Sequence, residues 1–326
     1  MPPKIRGMTV NSTSQQSPIR RFTLMLPGED TFDPDQDEST PPKGLPQERF
    51  LLGDKLPSAP VLLLGQSGLP VNPYEVIACL QPVHFHATRD HLILMAQSQI
   101  DLTAEESTKL LQVALPFIEE DFGNKVLFQG HRDWFIPAGP FTSLATHSID
   151  QAHGRNIDWW MPRDMNELGV AKLWRKLQNE IQMLWHIDPV NEAREQSGLP
   201  SINSLWISGI GKLADIQIPE SLRRVTQIYG EHPLLTGLAK HLGIPQQGEI
   251  DYSKLVNGFA WLDRPESAWD RLKNAVLNKE LDEIEIIDFP KGKARHRIFI
   301  AKDLHKKSWA FWKQSEPLSW QEIISS

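Results

Sequence analysis

The segment from Asp188 to Gly211 constrains the fold more than any other part of this chain. Prolines, glycines and hydrogen-bonding side chains recur in it at short intervals. Pro189 and Pro200 interrupt any long helix, because proline lacks the amide hydrogen that a helix interior needs. Leu205–Ile207 is an apolar run typical of a short buried strand. The segment therefore predicts a helix-to-strand loop followed by a strand.

Residues at both ends of this predicted strand are also suited to binding a ligand. Gly209 and Gly211 permit a tight turn, or a close approach of the backbone to a ligand. Arg194 and Asn203 offer hydrogen-bond donors just before the strand. Two interpretations stay open with equal weight: an anion-binding site, or a loop whose residues serve its turns alone.

The same segment resembles the HPVN-x-x-R-x-x-G-x-x-P-x-N motif, ending in RGxG, of the archaeal-type cofactor-independent phosphoglycerate mutases of the alkaline phosphatase superfamily. It is closer still to a bacterial group labelled phosphoglycerate mutase or RpfE-type regulatory protein, which shares a run like Leu177–Leu184 and an N-S-x-W-x-S-G-x-G segment. The resemblance extends from about residue 80 to 245. Ser208 replaces the archaeal arginine and cannot make its bidentate phosphate contact.

Short apolar strands alternate with helices along the chain, which indicates an α/β fold. The resemblance implies an alkaline-phosphatase-like core sheet flanked by helices, with an inserted α+β domain. We expect a disordered tail over residues 1–20, a core formed by 21–81 and 166–326, and an inserted domain over 82–165. The acidic, proline-rich residues 29–46 are typical of a long mobile loop.

Local patterns predict the individual elements. Strands are expected at 22–28, 91–96, 126–128, 134–136, 205–207, 253–260, 284–289 and 297–301. Helices are expected after Thr103, over 168–186, 234–242 and 269–277, and around Trp309–Trp312. Thr103 and Glu106 have the spacing of a capping box. Val61–Gly65 is a further short apolar run.

Further arginines extend the candidate anion site. Arg89 and Arg132 match positions at which the archaeal enzymes bind the phosphate and carboxylate of their substrate, although both could equally be surface arginines in ordinary ion pairs. Together with the segment above, the resemblance implies a ligand-binding set of Arg89, Arg132, Arg155, Asn191, Arg194, Asn203, Ser208, Gly209 and Gly211. We expect Arg89, Arg132, Arg194 and Asn203 to converge on one cleft between the core and the inserted domain.

Two other patterns invite a catalytic or metal interpretation. His84, His86, Asp90 and His91 are metal-ligating residue types, but no second cluster completes the set, so ordinary hydrogen-bonded histidines are favoured. A hydrolase triad of Ser143, His147 and Asp150 is disfavoured, because the chain has no G-x-S-x-G elbow.

The metal and phosphoserine motifs of the archaeal enzymes are missing. The first strand lacks their Asp-Gly pair, Ser58 lacks the neighbours of their G-S-D nucleophile, and Asp288 lacks their later His spacing. Two-metal chemistry needs about six ligands to hold both ions. The catalytic residues are therefore unknown, and we expect no metal or other cofactor; two divalent ions such as manganese are the alternative if the protein is an active enzyme.

The composition of the chain limits the classes of partner that it is expected to bind. The net charge of −7 argues against general nucleic-acid binding. No apolar run approaches the roughly 20 residues of a membrane span, and the single cysteine, Cys79, fits a reducing compartment. We expect a cytoplasmic protein without nucleic-acid or membrane partners.

Three functions follow in order of preference. The first is a mutase-like regulatory pseudoenzyme that binds a phosphorylated small acid such as phosphoglycerate. The second is an active phosphoglycerate mutase, an isomerase, with a rearranged site. The third is a protein-interaction module that uses the tryptophan-rich C-terminal region around Trp309 and Trp312.

Overall fold

The computed structural model describes residues 19–33, 43–305 and 317–324. The strands are β1 Arg21–Met25, β2 Ile77–Ala87, β3 Leu92–Met95, β4 Phe128–Gln129, β5 Trp134–Pro137, β6 Leu144–Ala145, β7 Arg163–Asp164, β8 Ser204–Gly211, β9 Gln227–Tyr229, β10 Gln246–Gln247, β11 Gly258–Trp261, β12 Glu283–Asp288 and β13 Arg295–Ile300. The helices are α1 Pro46–Leu52, α2 Ser58–Ser67, α3 Gln97–Ile100, α4 Ala104–Phe122, α5 Ile149–Ala152, α6 Val170–His186, α7 Pro189–Gln196, α8 Pro233–Leu242, α9 Glu266–Leu277 and α10 Trp320–Ile324.

The first sheet has six strands in the order β10-β9-β11-β1-β12-β13, and only β13 runs antiparallel to its neighbour. Side chains alternate between its faces, as strand geometry requires. Phe22 and Leu24 of β1 pack with α9 and α10 on one face. Met25 packs with α1, α2 and α8 on the other face. Helices thus cover both faces of the sheet, which is the usual condition for parallel strands.

The second sheet is antiparallel and is built around the long strand β2. Strand β8 pairs with one edge of β2, β5 pairs with the other edge, and β3 pairs with the far end of β2. Helices α4 and α6 cover one face of this sheet. Because the chain leaves the first sheet after α2 and returns to it at β9, the second sheet is an insertion. The predicted α/β class with an inserted α+β part is confirmed.

The segment 166–211 packs differently from the predicted domain division, which grouped it with the core. Trp174, Leu177 and Ile181 of α6 share one hydrophobic core with α4 and with the inner face of β8. The apolar stripe of α6 therefore faces the antiparallel sheet. The sequence showed that α6 has an apolar stripe, but periodicity alone does not identify the surface that such a stripe will cover.

Helix α2, which contains the apolar run Val61–Gly65, lies between the two sheets. Val61 packs with the helices and strands of the first sheet. Ala59 and Leu63 pack instead on the second sheet, against Cys79 and Phe135. A helix that is apolar on all sides is buried between layers, since no side of it favours water. The molecule is layered in the order helices, parallel sheet, α2 with its neighbours, antiparallel sheet, helices.

Most local patterns led to the expected element. The capping box of α4 is confirmed, with Thr103 Oγ1 accepting from the Glu106 amide and the Glu106 carboxylate accepting from the Thr103 amide. Residues 1–18 and 34–42, which belong to the predicted tail and loop, lie outside the described residues, as does Trp309–Trp312. Within the part of the chain that is described, no helix combines the length and apolar character needed to cross a membrane.

Helices α2 and α8 approach each other closely at two glycines. A Cβ atom at Gly237 would lie 1.9 Å from the Val61 carbonyl oxygen, and one at Gly65 would lie 2.9 Å from the Gly237 nitrogen. Neither contact is possible without moving backbone. The pair of glycines thus sets how α8 packs on α2.

We expect Gly237→Ala to destabilise the protein by about 1–3 kcal/mol, the range typical of overpacking a close contact. Urea denaturation followed by tryptophan fluorescence measures the change. Gly248→Ala is the control, because a Cβ there would meet nothing nearer than 3.5 Å. Equal stabilities of the two variants would show that the α2–α8 contact tolerates a methyl group.

Candidate functional site

A cleft of about 290 Å³ opens beside the N-terminal end of α2, between the two sheets. We call it the interlayer cleft. Its lining residues come from α1, α2 and α8 on one side and from the second sheet and α5 on the other. They are Glu48, Ser58, Leu62, Gln81, Ala96, Arg132, Asp133, Ser148, Ile149, Asp150, Ser208, His232, Pro233 and Leu234.

The two glycines of β8 hold the beginning of α2 in place. A Cβ at Gly209, whose φ is +64°, would lie 2.2 Å from Ser58 Oγ and 2.6 Å from the Ala59 nitrogen. A Cβ at Gly211 would lie 2.6 Å from Pro57 Cβ. The close approach that these glycines permit is therefore to α2 of the same chain. This contact places the Ser58 hydroxyl at the wall of the interlayer cleft.

A hydrogen-bonded network fixes the wall that carries Arg132. Asp133 accepts hydrogen bonds from Gln81 Nε2 at 2.8 Å and from Gln66 Nε2 at 2.6 Å. Ser208 Oγ donates to Gln81 Oε1 at 3.0 Å. Ser208 thus has a clear structural partner at the position where the archaeal motif has arginine. The turn that bears Arg132 is joined in this way to both β2 and α2.

Glu48 is a buried carboxyl group on the opposite wall. Its Oε2 accepts hydrogen bonds from the Leu45 amide at 2.6 Å and from Ser148 Oγ at 2.8 Å. Burial raises the pKa of Glu48 to about 7, the negative charge of Asp150 adds to the shift, and the two hydrogen bonds and His232 oppose it. The cleft therefore contains a carboxyl group that exchanges its proton near neutral pH.

His232 forms the rim next to Glu48. Its ring stacks on Trp261 with 4.0 Å between ring centroids, and its Nε2 lies 3.9 Å from Asp150 Oδ2. The same side chain accepts a hydrogen bond from the Leu234 amide at the start of α8. Neither Glu48 nor His232 was singled out from the sequence. No local spacing in the sequence connects His232 with Glu48, which lies 184 positions earlier.

Arg194 does not reach this cleft, contrary to the predicted convergence of Arg89, Arg132, Arg194 and Asn203. Its side chain is 1% exposed and lies 2.9 Å from Glu106. It also donates to the Pro200 carbonyl at 2.8 Å and to the Ile100 carbonyl. Each of the three guanidinium nitrogens thus donates a hydrogen bond within the protein, as expected for a buried polar group.

The side-chain amides of Asn191 and Asn203 also form hydrogen bonds within the protein. Asn191 donates to the Trp185 and Ile202 carbonyls and accepts from the Ile202 amide. Asn203 bonds both the amide and the carbonyl of Phe85. Of the two interpretations of the segment that begins at Asp188, these contacts support a loop whose polar residues hold its own backbone.

Arg89 and Arg155, which were also predicted to bind the ligand, do not line the interlayer cleft. Arg89 sits in the turn between β2 and β3, its side chain is 94% exposed, and its ion-pair contact is to Asp90 at 3.9 Å. Arg155 binds Asp30 at 2.7 Å and the Phe32 carbonyl at 2.6 Å, and its guanidinium stacks on Trp160. Arg155 therefore ties residues 30–32 to the second sheet. Of the four residues expected to converge, only Arg132 lines the interlayer cleft.

His84 and His86 lie side by side, with 5.8 Å between their ring centroids. Among the described residues, no three His, Cys, Asp or Glu side chains are grouped to hold a metal ion, and His84 hydrogen-bonds the Ser201 carbonyl instead. The two-metal site that the resemblance implies therefore does not fit the residues described. The Oγ of Ser143 is buried without a hydrogen-bond partner in the described part of the chain, so His147 does not activate it.

No protein-family model matches this chain, and no curated protein matches it in sequence. Among solved structures, it is similar to the cofactor-independent phosphoglycerate mutase from Thermoplasma acidophilum DSM 1728, with 13% identity, a TM-score of 0.35 and coverage of 86% of this chain and 89% of that one. It is also similar to the PH0037 protein from Pyrococcus horikoshii, with 12% identity, a TM-score of 0.40 and coverage of 94% and 93%. Similarities this distant assign neither a family nor an activity.

The contacts of Arg194 predict a structural role. Arg194→Leu removes the donor that the Ile100 and Pro200 carbonyls share with Glu106, and removing one partner of a largely buried ion pair costs about 3–5 kcal/mol of unfolding free energy. Arg89→Leu should change it by about 0.5 kcal/mol or less, as exposed sites do. Urea denaturation of both variants compares them. An Arg194→Leu variant as stable as Arg89→Leu would contradict the structural role.

The pKa of Glu48 predicts a pH-dependent stability. Since the pKa of about 7 in the native state exceeds the ordinary glutamate value of 4.5, the native state binds the proton more tightly than the unfolded state does. The stabilising contribution is complete below pH 4.5 and is lost as pH rises through about 7. At about 1.4 kcal/mol per pKa unit, the wild type should lose about 3 kcal/mol relative to Glu48→Gln between those limits. Denaturant unfolding across this pH range measures the difference; a difference independent of pH would contradict the assignment.

Proposed function

We propose that the interlayer cleft binds a small phosphorylated acid and that the protein acts through this binding rather than through metal-dependent phosphoryl transfer. The observation that carries the proposal is that Arg132 and the first turn of α2 line the same cleft. A guanidinium forms strong, directional hydrogen bonds to phosphate or carboxylate. The N-terminal end of α2 adds partial positive charge, and Ser58 there adds a hydroxyl group.

The remaining polar residues favour a ligand that has hydroxyl groups as well as anionic ends. Asp133 and Asp150 are acceptors, while Ser58 and Ser208 offer hydroxyl groups. Glu48 is protonated for part of the time near neutral pH and then repels an anion less. A phosphoglycerate has a phosphate, a carboxylate and a hydroxyl group, so it matches this combination. The sequence resemblance to phosphoglycerate mutases supports the same class of ligand.

A regulatory role without catalysis fits the motifs that the chain lacks. The Asp-Gly, G-S-D and D-x-x-x-H motifs of the archaeal enzymes are missing from the sequence. The described residues also contain no grouped set of metal ligands. Two-metal phosphoryl transfer depends on such a set to stabilise the attacking and leaving oxygens. We therefore propose a phosphatase-like pseudoenzyme that senses a phosphorylated metabolite.

One observation favours an active enzyme as the second candidate. Ser58 lines the same cleft as Arg132, at the first turn of α2, where helix polarity assists a nucleophile that accepts a phosphoryl group. Incubation with 3-phosphoglycerate, with and without manganese, followed by phosphorus NMR tests it. Formation of 2-phosphoglycerate that disappears in Ser58→Ala would establish this candidate and exclude the pseudoenzyme.

The binding proposal predicts the behaviour of Arg132. A charge-assisted hydrogen bond contributes about 1.5–3 kcal/mol, so Arg132→Gln should weaken binding of 3-phosphoglycerate about tenfold or more. The exposed position implies little change in unfolding free energy. Isothermal titration calorimetry measures the affinity, and Arg89→Gln is the matched control because that arginine lies outside the cleft. If the wild type binds no such acid at millimolar concentration, the proposal fails.

A further inference from the structure

A second concave surface lies on the inserted part, formed by the end of α6, by α7 and by the loop that leads into β8. It continues past Leu199 to the end of β2, where His84 and His86 lie. The two portions enclose about 870 and 680 Å³, and both are lined by Glu195 and Leu199. We call this surface the α6–α7 groove. It shares no lining residue with the interlayer cleft.

The groove exposes apolar side chains that nothing in the described chain covers. Met183 is 72% exposed, Ile187 is 80% exposed and Leu199 is 40% exposed. All three line one continuous depression. A single exposed apolar residue is common, but several that line one groove indicate an interaction surface. Met183 lies on the side of α6 opposite to the stripe that packs against the second sheet.

The edge of the groove is acidic. Glu192 and Glu195 lie three residues apart on α7, so they occupy neighbouring positions on the helix surface. Neither forms an ion pair with a described residue, and none of the described residues that line the groove is Lys or Arg. Arg194, between them in sequence, points into the core and neutralises Glu106 instead.

The floor of the groove is rigid. Asn191 and Asn203 line it while their amide groups bond the backbone of Ile202 and Phe85. The segment that most resembles the phosphoglycerate mutases thus builds a fixed concave surface rather than a ligand pocket in the cleft. A surface that is already ordered loses little conformational freedom when a partner binds.

We propose that the α6–α7 groove docks an amphipathic segment of a partner protein that carries Lys or Arg next to large apolar side chains. The apolar side chains would cover Met183, Ile187 and Leu199, and the cations would meet Glu192 and Glu195. Helix-in-groove recognition combines these elements: apolar anchors on one face, with charges beside them that select the partner. An acidic partner would find no Lys or Arg among the described residues that line the groove.

Fluorescence anisotropy of the full chain with two labelled probe peptides tests the proposal. One peptide is an amphipathic sequence of Leu, Trp and Lys, and the other has Glu in place of each Lys. We expect the lysine peptide to bind at least about tenfold more tightly than the glutamate peptide, since opposite charges attract and like charges repel across the interface.

Point variants test whether the lysine peptide binds in the α6–α7 groove. Ile187→Ser and Glu195→Lys should each weaken binding of the lysine peptide about tenfold, because each removes an anchor or reverses a charge in the groove. Leu168→Ser and Glu280→Lys are the matched controls, since both residues are exposed and neither lines the groove. Thermal unfolding confirms that each variant is folded.

Three results would overturn the proposal. The first is no binding of the lysine peptide, and the second is equal binding of the two peptides. The third is self-association of the full chain in analytical ultracentrifugation that Ile187→Ser abolishes, which would make a second copy of the chain the occupant of the groove.

Discussion

The packing of α2 against β8 and α8 is the contact on which the rest of this structure depends. Gly209 lets β8 touch the first residues of α2, and Gly237 lets α8 lie against its middle. Because α2 packs on the parallel sheet through Val61 and on the antiparallel sheet through Leu63, it joins the two layers. The interlayer cleft exists where this helix begins, so its shape follows from the same contacts.

The polar residues of the inserted part divide into two groups with different roles. Arg194 and Asn191 are buried and bond the backbone between α6 and β8, whereas Asn203 is partly buried and bonds the backbone of Phe85 in β2. Arg132 instead lines the interlayer cleft, together with Ser58 of α2, which lies outside the inserted part. The polar side chains of the segment from Asp188 to Asn203 therefore maintain the conformation of the backbone around them, and they do not line the interlayer cleft.

Much of the fold was predictable from local patterns, whereas the site was not. The capping box at Thr103 and the apolar stripe of α6 have short-range causes, and both were predicted. The predicted convergence of Arg194 and Asn203 with Arg132 was wrong, because a sequence does not show whether a polar side chain turns toward a cleft or toward a nearby carbonyl. Glu48 and His232 meet only through the packing of α1, α5 and α8, which no local spacing encodes.

Hydrogen–deuterium exchange of the full chain, with and without 3-phosphoglycerate, tests the central claim most directly, because it reports where the ligand acts. If the ligand binds in the interlayer cleft, we expect slower exchange in the peptides that contain residues 57–62 and 130–134, at the start of α2 and at the turn of Arg132. We expect no change over residues 186–203, whose polar groups are already bonded within the protein. Protection confined to residues 186–203, or no protection anywhere at a millimolar concentration of the ligand, would contradict it.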